Sequence, residues 1–118
     1  MTFAALYAIL TGVLMLGQWL FFLGTRQVPE LRTEPARIVF HLAAEFITAI
    51  VLILGGWGLL TDATWGFDVF FIAMGMFLYT VINSPGHFVQ VREWSMVSVF
   101  LILLVSALLV LRLAFRLA

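Results

Sequence analysis

Four apolar runs, each close to the roughly 20 residues that a bilayer-crossing helix needs, fill nearly all of this sequence. They lie at Thr2–Leu23, Ile38–Leu60, Trp65–Ile82 and Trp94–Leu111. Inside lipid every backbone polar group must find a partner within the chain, which leaves only helices or closed barrels. The runs are unbroken rather than alternating, so a barrel is excluded and an all-α fold is expected. A charged fraction of 10% points the same way, because a soluble domain carries about 25%. The expectation is a polytopic integral membrane protein: one domain over residues 1–118, built as a four-helix transmembrane bundle with the lipid bilayer as solvent.

The connections are short and polar. Pro29 and Pro35 break helix after the first span, and Pro35 suits the first turn of the second, with Thr33 or Glu34 as its cap. Thr61 to Thr64 makes a tight turn, so spans two and three should be antiparallel neighbours. Asn83-Ser84-Pro85-Gly86 is expected to end the third span, since proline disfavours helix at the preceding residue and glycine permits a sharp turn. A loop from His87 to Glu93 would follow. Trp19 and Trp94 then fall at one interface, Trp57 and Trp65 at the other, as aromatic belts require. The N-terminus lacks the basic residue and small-residue cleavage site of a removable signal.

Loops 24–37 and 84–93 hold Arg26, Arg32, Arg37 and Arg92, against Arg112 and Arg116 on the opposite face. The positive-inside rule places those loops in the cytoplasm of a cell-membrane protein and both termini outside. Net charge is zero, so no basic field invites nucleic acid. Cysteine is absent and all six fixed cations are arginine. Disulfides, thiolate metal sites and lysine Schiff-base chemistry are thereby excluded. No nucleotide-binding loop or serine–histidine–acid set is present, which argues against a hydrolase or nucleotide enzyme; no catalytic residue is assigned.

The informative residues are the polar ones inside the runs. Glu45 lies ten residues beyond Pro35, about 15 Å along a helix. An acidic residue at a span centre costs about 2.5–3.5 kcal/mol. The thirteen Leu, Ile, Val and Phe residues of Ile38–Leu60, at about −0.3 to −0.6 kcal/mol each, outweigh it. The helix therefore inserts, and Glu45 must face the bundle, a partner or water, protonated or paired. His41, Glu45, Thr48 and Leu52 share a face by spacing, as do Met76, Tyr79 and Asn83. Because the spans alternate in direction, Gln18, His41, Glu45, Tyr79, Asn83, His87 and Ser98 fall in one half of the bilayer. A polar pocket centred on His41 and Glu45 and opening toward the four arginines is expected, for a small cation, proton or polar ligand.

Plainer readings accompany these. Glu45 and His41 form a packing pair, Tyr79 belongs to the aromatic belt, and Asn83 ends a helix. Met15, Met74 and Met76 fill the core, and the stripe Ala4, Ala8, Gly12 and the cluster Gly55–Gly58 allow close helix approach. For a metal ion, His41 and Glu45 at i and i+4 with His87 as third ligand are the candidates. A haem between His41 and His87 is the weaker cofactor reading, with one histidine in a loop. An accessory or scaffold subunit of a membrane complex, or a dimeric small-solute or proton-coupled transporter, are the alternatives. Four helices alone make a poor transport path, so a homo-oligomer or another membrane protein is the expected partner.

The run from His41 to Leu60, with Met74–Tyr79 and Asn83–Gly86, resembles small four-helix bacterial and archaeal membrane proteins of the DoxX-like group and neighbouring uncharacterised families. The likeness covers about half of the chain. It implies the four-helix fold, and some DoxX-like members are implied to be subunits of quinone-linked oxidoreductases. No residue set here carries that activity over.

Overall fold

In the computed structural model, which describes residues 2–118, helices form wherever the apolar runs leave the backbone no other partner, and no strand occurs among the described residues. The elements are α1 (Thr2–Gly24), α2 (Glu30–Thr33), α3 (Pro35–Leu60), α4 (Gly66–Asn83), α5 (Pro85–Gln90) and α6 (Trp94–Leu117). Helices α1, α3, α4 continued by α5, and α6 are each long and apolar enough to cross a membrane.

Helix α3 is the centre of the arrangement and packs on α1 at one side and α4 at the other. Its buried positions Ile38, Leu42, Glu45, Ala49, Leu52, Gly56 and Leu59 step by three and four residues along one face. The α1–α3 seam is made of small residues: Ala5, Ala8 and Gly12 on α1 are enclosed opposite Ala49 and Gly56. A Cβ on Gly56 would come within 2.6 Å of the Ala5 carbonyl oxygen, and one on Gly12 within 2.6 Å of the Ala49 oxygen. Backbones therefore touch there, and only glycine permits it. From α4, the face Phe70-Ala73-Met74-Phe77-Val81 fills the core. Helix α6 is peripheral, burying only Ala107, Val110 and Ala114. It leans on α4 and α5 and barely meets α1.

The chain departs from the sequence reading at two places. Helix α4 ends at Asn83, as the Asn83–Gly86 signal requires, but the chain does not reverse there. Ser84 keeps helical angles (φ −63°, ψ −37°), its N–H donates to the Thr80 carbonyl at 2.8 Å, and Pro85 opens α5. A proline at a first helical position loses only a hydrogen bond that is absent anyway, and its fixed φ fits. The reversal comes at Val91–Glu93, where Arg92 adopts φ 60°. His87 is thus helical, not in a loop. The last helix runs past Leu111 to Leu117, since nothing after Leu111 breaks helix and arginine favours it. Glu34 occupies the cap position of α3 but makes no side-chain cap bond; its carboxylate accepts from Arg37 Nη2 at 2.6 Å instead.

Candidate functional site

The sparse contact between α1 and α6 leaves a cleft of about 580 Å³ at the end of the bundle that carries the α1–α3 and α5–α6 connections. All four long helices line it. Met15 and Trp19 come from α1, His41 and Glu45 from α3, Phe77 and Thr80 from α4, and Phe100 and Leu103 from α6. Gln27, Glu30, Arg37 and Gln90 stand at its mouth. The other end is tied shut. Tyr7 of α1 and Ser106 of α6 share a hydrogen bond of 2.7 Å, and the Ser106 hydroxyl also reaches the Leu103 carbonyl at 2.9 Å. Ser106 lies about one turn beyond Leu103, and Tyr7 about two turns beyond Met15.

Glu45 sits deep in this cleft with 6% of its surface exposed. Oε1 accepts a hydrogen bond from the Thr80 hydroxyl at 3.1 Å. His41 Nε2 lies 3.9 Å from the same oxygen, outside hydrogen-bond reach. Oε2 accepts none. Yet no wholly buried side-chain nitrogen or oxygen among the described residues lacks a partner, so the residual access of Oε2 is to the cleft. One level further along α3, Thr48 turns its hydroxyl to its own Ala44 carbonyl at 2.7 Å and adds nothing to the site.

A family model described as a domain of unknown function, DUF8058, matches residues 1–118. The chain belongs to the DUF8058 family. No curated protein and no solved structure matches it.

In this DUF8058 member the sequence-derived set is brought together only in part. Gln18, His41, Glu45, Asn83 and His87 all line the cleft. Gln18, Asn83 and His87 are exposed toward its opening, while His41 is half-buried with its ring edge-on to Trp19 at 5.8 Å. Tyr79 is not part of the site: it is 68% exposed on the outer face of α4. It stands about 200° around the helix from both Phe77 and Val81, which face the core. Ser98 is also exposed and donates to its own Trp94 carbonyl at 3.0 Å.

The three-ligand metal set His41, Glu45 and His87 does not assemble. Among the described residues no three His, Cys, Asp or Glu side chains are grouped for one ion. Thr80 is level with Glu45, whereas His87 stands seven residues further along the chain, in α5 and exposed toward the mouth.

The sequence reading missed Thr80, the partner of Glu45, and the Tyr7–Ser106 tie. Thr80 follows Phe77 by three residues on the core face of α4, a face that spacing alone does not mark. The tie joins residues 99 apart, and no local pattern signals it.

Proposed function

We propose that this is a multi-pass membrane protein whose one-sided cleft binds a proton or small cation at the Glu45 carboxylate. The observation that carries the reading is the half-satisfied carboxylate. A carboxylate offers about four lone-pair sites. In Glu45 one is used by Thr80, and Oε2 accepts no hydrogen bond. A buried carboxylate so poorly matched is expensive unless a proton or cation completes it.

Placement in lipid rests on the outer surface. Phe3, Leu10, Phe40, Ile72 and Ile102 are each more than 60% exposed on the four long helices, and an apolar surface of that extent suits acyl chains rather than water. With loops 24–37 and the turn carrying Arg92 in the cytoplasm, the cleft opens to the cytoplasmic side.

Dicyclohexylcarbodiimide, which attacks protonated carboxyls in apolar sites, tests this on the full chain in membranes. A single adduct at Glu45 is expected, slowed by added cation and absent from Glu45→Gln. If Glu45 does not react, and Glu45→Gln only lowers the melting temperature, the carboxylate is a structural link between α3 and α4 and the reading fails.

A further inference from the structure

We infer that the ligand of this cleft is an alkyl-substituted ammonium ion, held by Glu45 as counter-charge and by aromatic side chains around it. This rests on the proposed role of Glu45 as a cation partner and adds the chemical class of the cation.

A hard metal cation takes about six to eight oxygen ligands. Deep in the cleft the side-chain oxygens are those of Glu45 and Thr80, and no third acidic or imidazole group joins His41 and Glu45. A bare inorganic ion would exchange a full hydration shell for two or three contacts.

The walls offer something else. Trp19 and Phe22 stand on the α1 side, with ring centroids 6.1 Å apart and edge-to-face. Phe88 of α5 and Phe100 of α6 stack at 5.7 Å on another. Phe77 of α4 closes the wall near Glu45. Aromatic faces attract a cation whose charge is spread over alkyl groups, and they do so most strongly where water is excluded. Such an ion needs one anionic partner and apolar walls, and the cleft has both. About 580 Å³ also exceeds what a bare ion would require.

The mouth does not oppose entry. Its one arginine, Arg37, is held by Glu34 at 2.6 Å, and Glu30 stands beside it. Glu34 and Glu30 thus offset the one guanidinium that lines the mouth.

The test is equilibrium binding of labelled choline to the full chain in detergent or nanodiscs. Tetraethylammonium, sodium and the neutral choline analogue with carbon in place of nitrogen serve as competitors. Saturable choline binding is expected, displaced by tetraethylammonium and not by the neutral analogue. Glu45→Gln, which keeps an acceptor for Thr80, should weaken it about tenfold or more. Trp19→Leu and Phe100→Leu should each weaken it about two- to thirtyfold. Circular dichroism and melting of each variant establish that it is folded. Choline binding indifferent to Glu45→Gln and Trp19→Leu overturns the inference. So does Glu45-dependent binding of sodium, or carbodiimide reaction at Glu45, without choline binding; the cation or proton reading then stands alone. Loss of all Glu45-dependent binding and reactivity in a folded protein overturns both.

Discussion

The two ends of the bundle are built from the same four helices and differ in the side chains that α1 and α3 turn to each other. At the end away from the cleft, α1 presents Ala5, Ala8 and Gly12, α3 answers with Ala49 and Gly56, and α3 turns Gly55 and Gly58 toward α4. Backbones there approach to contact, and a Cβ on Gly55 would strike the Phe70 backbone at 2.8 Å. At the cleft end the same two helices present the larger Met15, Trp19, Phe22, His41, Glu45 and Phe46. Small residues bring α1 and α3 into backbone contact in one half, larger ones line the cleft in the other, and the cleft opens where α1 and α6 have little contact.

Enlarging the closed end should break this contrast most severely. Gly56→Leu would drive a side chain into the Ala5 carbonyl and Ile9, and a cost of about 3 kcal/mol is expected in detergent unfolding titrations. If the variant is as stable as the parent, the seam is not packed as described. Next comes the tie between α1 and α6: Tyr7→Phe removes the bond to Ser106 and should cost about 1 kcal/mol, with carbodiimide labelling of Glu45 unchanged. Gly17 is exposed in the cleft half of α1, where an added Cβ would meet nothing within 4 Å. Gly17→Ala should therefore gain up to about 1 kcal/mol in the same titration, through helix propensity alone. The smallest effect belongs to Tyr79→Leu on the outer face, within about 0.5 kcal/mol and without change in binding.

The sequence made some of this legible. The four long helices followed from the apolar runs because a bilayer-length stretch has few alternatives. Glu45 and His41 stood out because ionisable groups in such runs are costly. The facing of α4 did not follow. Met76, Tyr79 and Asn83 do share a helical spacing, but a helix that is apolar all round gives periodicity no contrast with which to tell core from exterior. Spacing alone therefore turns Tyr79 inward and passes over Thr80. The dipeptide Ser84-Pro85 reads as a stop because proline usually opposes helix before it; α4 does stop there, but Ser84 keeps helical angles and Pro85 opens α5 instead of a reversal. The cleft itself depends on how far α6 stands from α1, a matter of tertiary packing.

Cysteine accessibility tests the central claim most directly, because the native sequence has no cysteine to confuse it. Single substitutions Gln18→Cys, His41→Cys and Thr80→Cys line the cleft, whereas Ala8→Cys and Ala49→Cys sit in the closed seam. A membrane-impermeant thiol reagent applied to oriented vesicles should label the first three from the side of loops 24–37 only, and the last two from neither side. Labelling of the seam positions, or of the cleft positions from the opposite face, would contradict a one-sided polar cleft.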